Sequence, residues 1–147
     1  KDEYTIAEKQ GKAACTNNDL YVYDDYYSKY LKPNYQILKN SNASLSLSVS
    51  QEWNDYRFML NVCKELGIKP YIVIMSTNGK YYDYTGLSKK SRDDYYNNSY
   101  KIATKAGFKA LSLKNKEYTH YFYCDVMHLG WKGWLYVEQN IIENYAK

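Results

Sequence analysis

The sequence lacks any apolar run near the roughly 20 residues needed to cross a bilayer as a helix; its longest is Tyr71 to Met75. That excludes a helical membrane span within these 147 residues. Neither an initiating methionine nor a signal-type segment is present, so the expectation is an excised or processed piece of a longer gene product. Cysteine is scarce. Cys15, Cys63 and Cys124 form an odd set without Cys-x-x-Cys spacing, which argues against a zinc site and a disulfide framework. There is no Gly-rich phosphate loop, internal repeat or heptad seam, and no cofactor or metal is expected. Basic clusters are missing too: the net charge is only +4 and the lysines are scattered, so nucleic acid is not an expected partner.

What is present suits one folded domain over residues 1–147, with 45% hydrophobic and 18% aromatic residues available for a core. A mean hydropathy of -0.72 makes its surface very polar. Twenty residues are tyrosines. We read them as compositional bias toward Tyr, Asn and Lys in preference to a sugar-stacking platform.

Along the chain, Asp2 to Ala14 mixes apolar and charged residues as a short helix would, with a stop at Gly11 or at the turn cluster Thr16-Asn17-Asn18-Asp19. Leu20 to Tyr23 reads as extended. Asp24 or Asp25 then caps a tyrosine-rich helical turn that Pro33 stops. Asn34 to Ser50 reads as loop, with a short extended segment at Leu45, Leu47 and Val49. Ser50 to Leu66 is a helix: Ser48 and Gln51 fit a capping box, Trp53, Tyr56, Leu60, Cys63 and Leu66 share a face, and Gly67 ends it. Tyr71 to Met75 has the pattern of a strand buried on both faces. Ser91 and Asp94 start a helix that runs to Ala106, before Gly107; Phe108 to Leu113 forms a second strand, and Trp134, Val137, Ile141 and Tyr145 repeat at helical spacing. This is a βαβα order, which implies a parallel sheet with right-handed crossovers. The loops Asn78–Gly86 and Asp125–Trp134 both leave strand carboxyl ends, where open parallel sheets bind ligands.

The second of these loops carries the clearest chemistry. Asp125 lies three residues before His128, so its carboxylate can curl back to the imidazole Nδ1–H and leave Nε2 as a general base. A helix N-terminus just beyond His128 disfavours imidazolium, and Gly130 and Gly133 permit close backbone approach. Most isolated pairs of this kind are a cap beside a surface histidine. A Cys124–His128 nucleophile pair is the weaker alternative, and burial of Cys124 at a strand end is preferred. In the first loop, Asn78 offers an amide donor for an oxyanion, Gly79 a backbone N–H, and Tyr81, Tyr82 and Tyr84 a pocket lining. A tight turn is the plainer reading of Asn78-Gly79.

The block Asp125-Val126-Met127-His128-Leu129-Gly130-Trp131-Lys132-Gly133-Trp134 resembles the C-terminal signature of the DltD family, the D-alanine transfer proteins of teichoic-acid D-alanylation. Asn78-Gly79-Lys80-Tyr81-Tyr82-Asp83-Tyr84-Thr85-Gly86 resembles that family's Asn-Gly-Lys-Trp-Tyr-Asp-Tyr-Thr-Gly loop. Weaker echoes are Thr16-Asn17-Asn18 with Tyr26-Tyr27, and Ser50 to Asp55, all in the family's order. The resemblance implies an α/β fold, a three-layer α/β/α sandwich with a parallel sheet of the SGNH-hydrolase type, incomplete here at its N-terminal side. It implies His128 as general base, Asp125 as its orienting partner, and Asn78, Gly79, Lys80, Tyr82, Tyr84 and Trp131 around the substrate.

It further implies a serine from the N-terminal part of the family's domain and D-alanyl transfer onto lipoteichoic acid at the extracytoplasmic face of the plasma membrane. Attachment would be through an N-terminal anchor outside this chain, and the partners would be the D-alanyl carrier protein and a membrane acyltransferase. The mild positive charge suits approach to a polyanionic teichoic acid, as it would suit an ordinary solvated surface. Departures are specific. No Gly-Asp-Ser block appears before residue 50, neither Ser50 nor Ser76 sits in a nucleophile elbow, Ser76-Thr77 stands where prolines are expected, and Tyr81 replaces the usual Trp. The expectation is that residues 1–147 alone do not turn over. Two competing roles are a docking module for the carrier or membrane partner, and an editing thioesterase.

Overall fold

The computed structural model describes residues 2–47 and 52–144. Helix α1 (Asp2–Ala14) runs straight through Gly11. That glycine lies against Tyr121, whose Cβ would stand 2.5 Å from an added Cβ, so it permits close approach and does not end the helix. Leu20 to Tyr23 forms no strand; Tyr21 has φ +59, and Tyr23 N–H donates to Cys124 O at 2.9 Å.

The tyrosine-rich stretch is helical but segmented: α2 (Asp24–Tyr26), a π turn (Tyr27–Leu31), a 3-10 turn (Lys32–Asn34) and α3 (Tyr35–Leu38). Neither Asp24 nor Asp25 caps it, since the N-cap position is Tyr23 without a side-chain bond. Asp24 instead accepts hydrogen bonds from Thr16 N–H at 2.7 Å, Thr16 Oγ1 at 2.6 Å and Asn17 N–H at 3.1 Å, tying this stretch to the end of α1. Pro33 does not stop the stretch either. It sits at the start of the 3-10 turn, where an N–H has no partner within the turn to lose. Leu20, Val22 and Leu31 form a small buried cluster here, against which Tyr81 and Val126 pack.

Helix α4 spans Glu52–Glu65; the expected cap residues Ser48 and Gln51, with Val49 and Ser50, lie outside the described residues. Of its expected apolar face only Leu60 is fully buried, Trp53, Tyr56 and Cys63 are half-buried, and Leu66 and Phe58 are 67% and 70% exposed. Strands β1 (Tyr71–Ile74) and β2 (Lys109–Ser112) pair in parallel, Tyr71 with Lys109 through Ile74 with Ser112. Between them come α5 (Gly79–Tyr84) and α6 (Lys89–Lys105), and α6 packs against both strands. The expected βαβα order is therefore present, as a mixed α/β fold with a parallel pair. Only Ile74 of β1 is fully buried, because among the described residues β1 has one neighbour and one open edge. Helix α6 starts a turn earlier than expected, because Ser88 is its N-cap and accepts Ser91 N–H at 3.1 Å.

Helix α7 (Trp131–Asn144) closes the core formed by Leu113, Phe122, Tyr123, Leu129 and Val137. It packs against α1, with Lys132 paired to Glu8. Trp134 is exposed although its spacing placed it inward, and Tyr145 lies outside the described residues.

Candidate active site

The Asp125–His128 corner is a tight loop pinched at its base. Tyr123 and Leu129 form an isolated antiparallel bridge, and Cys124 N–H donates to His128 O at 3.0 Å. Inside the loop, Asp125 Oδ1 accepts Met127 N–H at 2.8 Å and His128 N–H at 2.6 Å, the short-range bonding that aspartate favours in turns. Its other oxygen, Oδ2, lies 2.7 Å from His128 Nδ1. A carboxylate only accepts, so the proton of a neutral imidazole sits on Nδ1 and the Nε2 lone pair is free. The Asp125 side chain is 17% exposed and that of His128 73%. One group is anchored; the other presents its reactive edge.

The Asn78 loop lies against this corner. Asn78 N–H donates to Val126 O at 2.9 Å. Its side chain is engaged as well: Oδ1 accepts Tyr81 N–H at 3.0 Å, capping α5, and Nδ2 donates to Leu20 O at 2.7 Å. Gly79 N–H donates to Glu117 O at 2.8 Å. The donor expected of Gly79 for an oxyanion is thus already occupied, and Asn78 acts here as a buried cap, as its side-chain geometry at a helix start dictates. Lys80 Nζ donates to Asp19 O at 2.9 Å and lies 4.4 Å from the Tyr21 ring centroid. Tyr84 turns toward α3, its hydroxyl donating to Tyr35 O at 2.7 Å and its ring stacked on Tyr35 at 4.2 Å. Trp131 stands 5.4 Å from the Tyr23 ring and is half exposed.

A cavity of about 590 Å³ opens beside the corner, walled mainly by apolar side chains such as Leu45, Met75 and Leu87. His128, Met127, Tyr82, Ser76 and Arg92 also line it. Of the expected pocket residues, Tyr82 alone joins His128 there; Asn78, Gly79, Lys80, Tyr84 and Trp131 do not line it. Ser76 is buried with its Oγ 2.6 Å from Tyr123 Oη. Burial, reinforced by the Asp125 charge, pushes the Cys124 thiol above its ordinary range. It stays protonated, which disfavours a thiolate nucleophile.

One cluster escapes the sequence reading. Arg92 is buried at 1% exposure, with Nε donating to Glu117 Oε1 at 2.9 Å and Nη2 to Asp83 Oδ1 at 2.7 Å. Nη1 donates to Leu87 O, and Tyr96 Oη donates to Glu117 Oε1 at 2.7 Å. The only available signal is that Arg92 is one of two arginines in a lysine-rich chain, arginine being the cation suited to buried carboxylates. Among the described residues no group of three His, Cys, Asp or Glu side chains is placed to hold a metal, and no helix is long and apolar enough to cross a membrane.

Comparison with known proteins agrees with the motif blocks. A family model described as DltD protein matches residues 1–146. Protein DltD of Bacillus subtilis (strain 168) is 41% identical over 140 residues, covering 95% of this chain and 36% of that protein. Protein DltD of Lacticaseibacillus rhamnosus is 30% identical over 137 residues, covering 92% and 32%. Protein DltD of Staphylococcus aureus (strain NCTC 8325 / PS 47) is 25% identical over 134 residues, covering 91% and 34%. The chain therefore spans about a third of the length of the curated relatives it matches.

Proposed function

The chain belongs to the DltD family, and from that premise we propose that it supplies the histidine–aspartate half of a site transferring D-alanine onto teichoic acid. The observation that carries this is the 2.7 Å contact between Asp125 Oδ2 and His128 Nδ1, with Nε2 left free beside a cavity. In such a site a serine hydroxyl gives its proton to Nε2 and attacks a D-alanyl donor. Asp125 steadies the imidazolium that forms, and the proton returns to the leaving group. A hydroxyl of lipoteichoic acid then takes the acyl group by the reverse sequence, with a new ester formed and the serine released.

The serine comes from outside this chain in our reading. Ser76 Oγ is already bonded to Tyr123, while β1 keeps an open edge among the described residues. A further parallel strand on that edge would end beside Met75 and Ser76, both of which line the cavity with His128. The exposed apolar side chains Phe58, Met59 and Val62 of α4, and Leu66 just after it, suit cover by more of the same domain. Attachment to the outer face of the plasma membrane, and partnership with the D-alanyl carrier protein and a membrane acyltransferase, belong to the same proposal. The docking and editing-thioesterase roles are its competitors.

The test compares this chain with the intact protein on a D-alanyl thioester and a D-alanyl ester. The intact protein is expected to transfer or release D-alanine, and residues 1–147 alone to show none above buffer. Turnover by the chain alone, lost in His128→Ala, would overturn the placement of the nucleophile.

A further inference from the structure

A buried carboxylate that belongs to none of the motif blocks reaches the site through two routes. Glu117 follows the 3-10 turn Lys114–Lys116 and is 2% exposed. Its side chain accepts the Tyr96 hydroxyl at 2.7 Å, and that hydroxyl oxygen in turn accepts Thr77 N–H at 3.2 Å. Its backbone carbonyl accepts Gly79 N–H at 2.8 Å. Both flanks of Asn78 are thereby fixed by one residue, and Asn78 N–H donates to Val126 O. Among the described residues that is the one backbone hydrogen bond from outside the turn to the segment Asp125–Met127.

We infer that Glu117 is a positioning residue for His128: through Tyr96 and its own carbonyl it fixes Thr77 to Gly79, whose Asn78 N–H holds the Asp125–His128 turn. Arg92 serves this arrangement by neutralising Glu117, with Nε at 2.9 Å from Oε1. Lys89 stands 3.5 Å from the other oxygen. Were the network only a clamp between α6 and the chain after β2, its bonds would end on those elements. Two of them end instead on the Thr77 and Gly79 N–H groups, one on either side of the residue that touches the corner.

The inference rests on His128 being the base, but its test needs no turnover. In isotope-labelled chain, Tyr96→Phe keeps the ring and removes only the hydroxyl that joins Glu117 to Thr77. The imidazole resonances of His128 are expected to move, and the amides of Asn78 and His128 to exchange about five- to ten-fold faster, the loss of one net hydrogen bond. The amide of Gly130, bonded to Phe122 O, stays as it was. Val137→Ala, a core truncation that lowers the melting temperature at least as far, leaves the His128 signals in place. Glu117→Gln, which keeps an acceptor oxygen, shifts the same signals in the same direction; if it fails to fold, Tyr96→Phe decides alone. Unmoved His128 signals in Tyr96→Phe, or an equal shift in Val137→Ala, overturn the inference. A failed transfer assay with unmoved-control behaviour as described would count against the proposed reaction and leave the positioning intact.

Discussion

His128→Ala in the intact protein is expected to lower D-alanyl transfer about a thousandfold or more, the scale lost when the base of a serine site is removed. The size follows from what the imidazole alone can do. A serine hydroxyl at neutral pH is a poor nucleophile, and in the proposed site His128 Nε2, free beside the cavity, would take its proton. Stability should fall by less than about 1 kcal/mol, because the His128 side chain is 73% exposed, its loss leaves no cavity, and only its exposed bond to Asp125 is removed. Melting temperature therefore separates lost chemistry from lost fold. Under the docking role the same variant would keep both carrier capture and transfer. Quantifying teichoic-acid D-alanine in cells carrying the variant, alongside capture of the carrier protein, reads both outcomes.

Arg92→Met is expected to destabilise the chain by about 3–5 kcal/mol, the cost of leaving a buried carboxylate without its partner. Arg92 and Glu117 are 1% and 2% exposed, so water cannot replace the lost guanidinium. Burial opposes the charge of Arg92, but the bonds to Glu117 and Asp83 outweigh it and hold the guanidinium charged far beyond any accessible pH. Lys89, 3.5 Å from Glu117, offsets part of the loss and pulls the figure toward the lower end. By contrast the exposed Lys90–Asp94 pair of α6 should contribute less than about 1 kcal/mol. Urea unfolding measures both. Removing both charges in Arg92→Met with Glu117→Leu should recover much of the loss, since two apolar groups leave nothing unpaired. A loss below 1 kcal/mol in Arg92→Met would contradict the account of this cluster.

Where local pattern governs structure, the sequence anticipates it closely. Tyr71 to Ile74 is a strand because β-branched residues follow one another, and Asp125 reaches His128 because three residues make one turn. Local chemistry that is overridden from a distance is another matter. Gly11 looks like a helix stop, yet Tyr121, far along the chain, needs its missing side chain for contact. Asp24 looks like a cap, but Thr16 and Asn17 claim its carboxylate and hold it below the usual range against the opposing effect of burial. Pro33 looks like a stop from its ring alone, yet a 3-10 turn accommodates it.

The candidate site shows the same division. Its Asp125–His128 contact is local, whereas the Arg92–Glu117 cluster joins residues 25 positions apart that no periodicity connects. Asn78 and Gly79 carry the right groups for an oxyanion, but only the fold shows those groups bonded to Leu20, Tyr81 and Glu117.

The most direct measurement of the central claim, that Asp125 and His128 activate a serine carried by another part of the intact protein, is labelling with a fluorophosphonate. The reagent phosphonylates only an activated serine, with fluoride leaving and the hydroxyl proton passing to the base. The account predicts one labelled serine outside residues 1–147, with labelling lost in His128→Ala and reduced in Asp125→Asn. No labelled serine, or labelling that His128→Ala leaves unchanged, would contradict it.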